Sequence, residues 1–249
     1  MSFSTLMYHE IRENAFFDPK HPSSIDVKQG YVDILPAPLF VTLEHFEDQM
    51  AYLRNNNYYT LTLEEVKDYY YHNRELPEKS VLLTFDDCYQ SIKKYAYPIL
   101  RKYQFHAVAF VVTNWLHELP RIFNPEKSVC MAESELADIS DIFEFANHTD
   151  SFHKRSDTAT SLLMLTSDED FAADLDLCNE NNMIQAKDVF AYPFGLYEER
   201  NITLLKNKGF RLAFTSRNGQ NDNNTDPLLL NRNAIPYFIE MEDFKKIIS

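Results

Sequence analysis

The feature that most constrains the fold of this chain is a regular alternation of short apolar runs with longer amphipathic segments. The apolar runs have the length and composition of buried strands, and the amphipathic segments repeat apolar residues at helical spacing. Repeated strand–helix units favour a parallel sheet with helices outside it. At 249 residues, a barrel is favoured over an open sheet. We therefore predict one α/β barrel domain spanning residues 1–249.

Seven apolar runs are predicted as strands, at residues 3–8, 81–85, 107–112, 143–147, 189–192, 212–215 and 228–230. Helices are predicted at 42–55, from Thr62 onward, and at 89–103, 168–179, 202–208 and 240–248. Sites in barrels of this kind gather at the C-terminal ends of the strands. Reactive residues are therefore expected directly after the strands.

Acidic residues outnumber basic residues by 38 to 24, which gives a formal net charge of −14. This balance argues against nucleic acid as a partner, because phosphate backbones are bound by basic surfaces. It suits a neutral or cationic partner, although a solvated acidic surface that only aids solubility explains the same charge.

Cysteine usage and the N-terminal sequence predict a cytoplasmic protein. Cys88, Cys130 and Cys178 are too widely spaced for a C-x-x-C site, and their odd number fits a reducing compartment. The N-terminus lacks the basic and apolar segments of a signal peptide. The longest apolar run, 107–112, is far shorter than the roughly 18–20 residues of a membrane span. These features predict no membrane span and leave the oligomeric state open.

The four glycines exclude several common functional motifs. They stand at positions 30, 195, 209 and 219, and no two are separated by two to five residues. The dinucleotide fingerprint, the phosphate-binding P-loop and the esterase nucleophile elbow all need closer pairs. The commonest nucleotide-binding and esterase signatures are therefore absent.

Two adjacent carboxylates, Asp86 and Asp87, follow the predicted strand 81–85. Such a pair is costly after an apolar strand unless a cation or a proton compensates it. Capping of the next helix could explain one of the two residues but not both.

Two histidines, His148 and His153, follow the predicted strand 143–147. On one helix, a separation of five residues would place them about 140° apart. If both bind one ion, the chain must therefore turn between them. Surface histidines are common, so the pair alone is weak evidence. Together with the Asp pair it gives a set of one carboxylate and two imidazoles, which leaves a position open for water on a catalytic zinc.

Two other strand ends carry candidate residues. His9 follows strand 3–8 and is either a third imidazole at the barrel mouth or an ordinary histidine. Pro193, Phe194 and Gly195 follow strand 189–192, and with Tyr192 they could present ring faces and backbone N–H groups to a ligand. A simple tight turn is the alternative for this segment.

These segments together resemble the polysaccharide deacetylases, the family of chitin deacetylases and NodB-type enzymes (carbohydrate esterase family four). The resemblance covers roughly residues 5–235 and rests on three strings, namely Leu83-Thr84-Phe85-Asp86-Asp87, His148-Thr149 through His153, and Phe190-Ala191-Tyr192-Pro193-Phe194-Gly195. It implies a distorted (β/α) barrel, expected here to be seven-stranded, and metal-dependent removal of N-acetyl groups from glycans that contain N-acetylglucosamine.

The resemblance also implies a role for each matched residue. Asp86 would be the general base, while Asp87, His148 and His153 would hold a divalent metal. Zinc is expected, with cobalt or nickel as alternatives. The backbone N–H of Phe194 would help to bind the oxyanion. Tyr192, Pro193 and Phe194 would line the binding site for an N-acetylated glycan.

The chain departs from the common family pattern at several positions. Cys88 stands where many members have Gly, the two histidines are one residue farther apart than usual, and Ala191 replaces an arginine. The C-terminal Leu-x-His acid motif is also missing. The last three departures resemble the poly-N-acetylglucosamine deacetylase subgroup, and by that likeness the general acid is His9 or His148. The alternatives are a catalytically weakened sugar-binding or scaffolding protein with the same barrel, and a metal amidohydrolase acting on a small non-sugar amide.

Overall fold

A parallel sheet forms the centre of the molecule, in a computed structural model that describes residues 1–21 and 23–249. In chain order, the strands are Ser2–Tyr8 (β1), Glu10–Arg12 (β2), Ile25–Asp26 (β3), Phe40–Thr42 (β4), Tyr59–Thr60 (β5), Ser80–Asp86 (β6), Ala107–Val111 (β7), Ser128–Val129 (β8), Phe143–Asn147 (β9), Ala186–Ala191 (β10), Leu212–Phe214 (β11), Gln220–Asp222 (β12) and Asn233–Ala234 (β13). The main sheet has nine strands in the order β11-β10-β9-β7-β6-β1-β12, and in addition β13 pairs with β1 and β5 with β6. The six strands from β11 to β1 are all parallel, whereas β12 is antiparallel to β1.

The C-terminal segment 230–235 links the two edges of this sheet. On one side, Thr215 donates its backbone N–H to the carbonyl oxygen of Leu230 at 2.8 Å. On the other side, β13 pairs in parallel with β1, and Ile235 donates to the carbonyl oxygen of Met7 at 3.1 Å. With β13 added to the six parallel strands from β11 to β1, the sheet curls into the distorted (β/α) barrel that was predicted.

Helices cover the outside of the sheet between successive strands. They are Leu43–Asn55 (α1), Leu63–His72 (α2), Tyr97–Tyr103 (α3), Glu133–Ala137 (α4), Leu162–Leu165 (α5), Asp168–Glu180 (α6), Glu199–Asn207 (α7) and Met241–Ile248 (α8). The predicted start signals are confirmed: Thr42 caps α1 through the backbone N–H of His45, and Thr62 forms a capping box with Glu65 at α2. Within residues 1–21 and 23–249, no helix has both the length and the apolar character needed to cross a bilayer.

Two sequence predictions differ from the structure. The predicted helix 89–103 contains a π-helical turn at Ile92–Ala96, because Pro98 has no N–H to donate to the carbonyl group four residues earlier. The predicted strand 228–230 is wrong: Leu230 alone bridges β11. The backbone N–H groups of Leu228 and Leu229 donate hydrogen bonds to Asp226, which forms a turn. These two N–H groups are therefore not available for strand pairing.

Candidate active site

The predicted site residues lie at the C-terminal ends of parallel strands. Asp86 is the last residue of β6, and His9 directly follows β1. His148 directly follows β9, and Phe194 lies in the turn after β10. Because these strands run parallel in one sheet, the residues that follow them meet at the same end of the barrel.

Asp87, His148 and His153 form a buried group of potential metal ligands. One ligand atom from each residue lies within 4.8 Å of the other two. Oδ1 of Asp87 is 3.8 Å from Nε2 of His148 and 3.4 Å from Nε2 of His153. Ligand atoms about 2.0–2.1 Å from a tetrahedral zinc ion lie about 3.4 Å from one another. The observed separations therefore fit a single ion after a small adjustment.

The orientation of these side chains also fits a metal. Nδ1 of His148 lies 2.7 Å from the carbonyl oxygen of Ala191, so it carries the proton and leaves the lone pair of Nε2 facing the group. Oδ1 of Asp87 is buried and has no hydrogen-bond partner among the residues that the structure describes. A buried carboxylate oxygen of this kind needs a cation or a proton. Two imidazoles and a carboxylate are a ligand set that zinc accepts.

The imidazole of His153 is held between two aromatic rings. Its ring centroid lies 4.6 Å from that of Trp115 and 4.3 Å from that of Phe194. Beside it, a cleft opens from Asp87 and His153. Its apolar lining includes Ile25, Leu35, Leu39, Tyr89 and Trp115. A ligand in this cleft would contact the potential metal ligands Asp87 and His153 directly.

Arg232 fixes the carboxylate of Asp86. Nη1 of Arg232 donates to Oδ1 of Asp86 at 2.6 Å, and Nε of Arg232 donates to the carbonyl oxygen of Thr215 at 2.8 Å. The second oxygen, Oδ2 of Asp86, lies 3.7 Å from Nε2 of His9 and 3.9 Å from Nε2 of His148. Burial is the largest single influence and raises the pKa of Asp86, but the charge and hydrogen bond of Arg232 together with His148 and His9 outweigh it and lower this pKa to about 2. Asp86 is therefore ionised at neutral pH.

Burial favours the neutral forms of the groups around Asp86. Burial and the charge of Asp86 raise the pKa of Asp87 well above its usual range. Burial lowers the pKa of His9 to about 4, and it also lowers the pKa values of His148 and His153. Unprotonated imidazoles are the form that binds metal ions.

The backbone around the site adopts conformations that are rare for non-glycine residues. Asp87, Cys88, Thr149 and Phe194 have φ angles of 69°, 55°, 78° and 59°. Such residues cost roughly 1–3 kcal/mol each and cluster at functional sites. The strain occurs at Asp87 after β6, next to His148 after β9, and in the turn after β10.

Two residues singled out in the sequence face the core instead of the cleft. Cys88 is fully buried, and its Sγ donates to the carbonyl oxygen of Phe110 at 3.8 Å, so its thiol neither crowds nor joins the ligand group. Tyr192, predicted to bind substrate, is also fully buried, and its hydroxyl donates to the carbonyl oxygen of Leu228. Its ring packs against Phe190 and Tyr197, so the structure gives Tyr192 a packing role. Pro193 is buried as well, and Phe194 is the half-buried member of this turn.

Sequence reasoning missed Arg232. The available signal was its position: it is a single arginine that follows the apolar run 228–230, and the other site residues also follow apolar runs. A guanidinium is thus present beside Asp86 although Ala191 stands where the resemblance predicts an arginine.

The chain is similar to known deacetylases over most of its length. The family model described as polysaccharide deacetylase matches residues 73–213. A poly-beta-1,6-N-acetyl-D-glucosamine N-deacetylase of Staphylococcus aureus is 27% identical over 251 residues, an alignment that covers 96% of this chain and 82% of the relative. The enzyme of the same name from Staphylococcus epidermidis is 26% identical over 84% of this chain and 71% of its own length.

Solved structures share the fold. A Streptococcus pyogenes deacetylase in complex with acetate has a TM-score of 0.75 at 23% identity and covers 100% of this chain and 99% of its own. A de-N-acetylase from Aggregatibacter actinomycetemcomitans has a TM-score of 0.73 at 19% identity, with 99% of this chain and 100% of its own covered.

Proposed function

The chain belongs to the polysaccharide deacetylase family, a family of hydrolytic enzymes, and on this premise we propose that it removes N-acetyl groups from a polymer or oligomer of N-acetylglucosamine. One observation supports this proposal most strongly. The potential metal ligands Asp87, His148 and His153 converge at the barrel mouth, beside an ionised Asp86 that Arg232 holds in place.

Asp87, His148 and His153 would hold a divalent metal, with zinc as the first choice and cobalt or nickel as alternatives. When bound, such an ion supplies Lewis-acid chemistry, which polarises an amide carbonyl and makes water more acidic. The unpartnered Oδ1 of Asp87 and the orientation of His148 support this assignment.

Asp86 would act as the general base. Its carboxylate is ionised and oriented by Arg232, and its Oδ2 is directed toward the histidines, where it can take a proton from an attacking water. The backbone N–H of Phe194 would donate to the oxygen that becomes negatively charged as the acetamide carbonyl is attacked.

His9 would return the proton to the leaving amine. Nδ1 of His148 bonds to the carbonyl oxygen of Ala191, and its Nε2 would bind the metal. Neither nitrogen is then free to protonate the amine, so His9 is the acid of the two candidates. Burial keeps His9 neutral at rest, so its proton must come from Asp86 during the reaction. Nε2 of His9 lies 3.7 Å from Oδ2 of Asp86, so a small approach of the two side chains would give the hydrogen bond that this transfer needs.

The substrate proposal follows from the relatives and from charge. The curated relatives are named for poly-β-1,6-linked N-acetylglucosamine, and we propose the same class of N-acetylated glycan for this chain. Its net charge of −14 is compatible with a neutral glycan and with the cationic amino sugars that deacetylation produces.

Acetate release tests the proposal. Zinc- or cobalt-loaded protein should release acetate from β-1,6-linked N-acetylglucosamine oligomers or chitooligosaccharides, and Asp86→Asn should abolish this release. Metal content should fall in Asp87→Ala and His148→Ala. Glycan binding without acetate release under several metals would instead favour a sugar-binding protein, and turnover of small amides alone would favour a non-sugar amidohydrolase.

A further inference from the structure

The segment between His148 and His153 is an irregular loop that is held by several hydrogen bonds. We call residues 149–152 the histidine loop. At its start, Thr149 has a φ of 78° and donates its N–H to Oδ1 of Asn147 at 2.8 Å. The carbonyl oxygens of Thr149 and Asp150 accept from the backbone N–H groups of Thr113 and Asn114. This loop therefore has a defined path between the two histidines.

Asp174 secures the middle of the histidine loop from the helix side. It lies on α6, and its side chain is almost completely buried. Oδ2 of Asp174 accepts from the backbone N–H of Asp150 at 2.9 Å, and Oδ1 accepts from that of Ser151 at 2.7 Å. One carboxylate thus binds two consecutive N–H groups midway between His148 and His153.

Burying a carboxylate between a helix and a sheet costs desolvation free energy. Burial raises the pKa of Asp174 to about 6, although the two backbone N–H groups oppose this shift. An apolar side chain would avoid this cost of desolvation. It would, however, leave the N–H groups of Asp150 and Ser151 unpaired.

Polar contacts reach the histidine loop from its other side as well. Thr113 donates its hydroxyl to Oδ1 of Asp150 at 2.7 Å, and Gln29 donates its amide to the carbonyl oxygen of Ser151 at 3.1 Å. These contacts hold the loop against the barrel. The two hydrogen bonds to Asp174 attach the same loop to α6.

We propose that Asp174 is a positioning residue that sets the separation between the imidazoles of His148 and His153, and thereby the geometry of the metal site. The two N–H groups that it binds belong to residues halfway between the histidines, at the point where the five-residue spacing must be accommodated. The inference rests on the proposed function in one respect, that these histidines bind a metal ion.

Metal binding to Asp174→Asn tests this proposal. Asparagine has the same shape, but its amide group would face one of the two N–H donors and lose that hydrogen bond. We expect the affinity for zinc, measured by chelator competition, to fall about 10–100-fold, as is typical for residues that orient metal ligands. The absorption bands of bound Co²⁺ should also change in position or intensity.

Glu65→Gln is the matched control. Glu65 also accepts a backbone N–H, that of Thr62 at 2.9 Å, but it belongs to the capping box of α2. This variant should keep the wild-type Co²⁺ spectrum and zinc affinity even if its Tm falls. The comparison separates loss of loop position from general loss of stability, because only Asp174→Asn should change the spectrum.

The outcomes distinguish the inference from the proposed function. If the wild type binds zinc and Asp174→Asn binds it with the same affinity and Co²⁺ spectrum, the positioning role is overturned and the proposed function stands. If the wild type binds neither ion, both are overturned. Asp174→Glu provides a second variant should Asp174→Asn fail to fold. It keeps the charge but lengthens the side chain, and unchanged metal binding in it would also contradict the proposal.

Discussion

At the scale of single residues, the ion pair between Arg232 and Asp86 affects both the stability of the barrel and the ionisation of Asp86. Both side chains are about 1–3% exposed, so neither charge has water to replace its partner. Removing one member of such a buried pair leaves an uncompensated charge, which typically costs about 3–5 kcal/mol. Arg232 therefore stabilises the barrel and holds Asp86 ionised in one orientation.

Replacing Arg232 by methionine should lower both the stability of the barrel and the rate of acetate release. We expect kcat/KM for acetate release to fall at least about 100-fold, because Asp86, the proposed general base, loses its orientation. The free energy of unfolding should fall by about 3–5 kcal/mol. Arg232→Lys is the control: it keeps a charge but cannot bridge Asp86 and Thr215 equally well, so an intermediate loss is expected. Wild-type kcat/KM in Arg232→Met would contradict this role.

Because the carboxyl group of Glu10 is buried, the stability of the folded protein should depend on pH. Burial raises its pKa from 4.5 to about 7, although Arg12 opposes the shift. The folded protein therefore binds the Glu10 proton more tightly than the unfolded chain does. This contribution to stability is complete below about pH 4.5 and is lost as the pH rises through 7, a loss of about 3 kcal/mol.

In Glu10→Gln, this loss should disappear. The free energy of unfolding, measured by urea denaturation at pH 5 and pH 8, should decline less toward pH 8 in Glu10→Gln than in the wild type, by up to about 3 kcal/mol. The exposed Glu64→Gln on α2 is the control and should follow the wild-type profile. The assignment fails if Glu10→Gln and the wild type show the same difference between the two pH values.

At the scale of elements, the sequence predicted best where a local pattern determines the structure. Strand 143–147 and the caps at Thr42 and Thr62 were predicted correctly, because period and capping chemistry are local. The prediction of a strand at 228–230 was wrong because Asp226 forms a turn that composition does not reveal. The partnership of Arg232 with Asp86 joins residues 146 positions apart, and only the closed barrel brings them together.

The turn after β10 allows a sharp test of backbone geometry. Gly195 has a φ of 69°, and an added Cβ would lie 2.7 Å from Cβ of Ser216 and closer still to its hydroxyl oxygen. Gly195→Ala should therefore lower the free energy of unfolding by about 2–4 kcal/mol, from backbone strain and steric overlap together. Acetate release should also fall, because Phe194 precedes this residue.

Gly209→Ala is the matched control for this prediction. Gly209 has a φ of 83°, but an added Cβ there has no atom within 4 Å. It should lose only about 1–2 kcal/mol, from backbone strain. Adding Ser216→Gly to Gly195→Ala should recover the steric part of the loss, which a double-mutant cycle measures. Equal losses in the two alanine variants would show that the close approach of Ser216 has no cost.

At the scale of the whole molecule, the site is assembled from segments that span almost the entire chain. His9 follows the first strand, Asp87 and His148 follow central strands, and Arg232 precedes the last strand. Asp87 and His148 meet because β6 and β9 both pair with β7, and segment 230–235, between β11 and β1, brings Arg232 to Asp86. An unfolded chain therefore cannot reproduce the ligand group, and an ion that binds this group should stabilise the folded barrel.

Zinc should accordingly raise the Tm of the metal-free protein. Free zinc at about 100 times its Kd stabilises the folded state by about 2.7 kcal/mol. For a chain of this size, that corresponds to a rise in Tm of about 5–10 °C, which calorimetry after chelator treatment can measure. His153→Ala should lose most of this rise, because it removes one of the three proposed ligands. Magnesium is the control ion, since it prefers oxygen ligands. A Tm that zinc leaves unchanged in the wild type would contradict metal binding at this site, because Asp87, His148 and His153 would then converge without a shared ion.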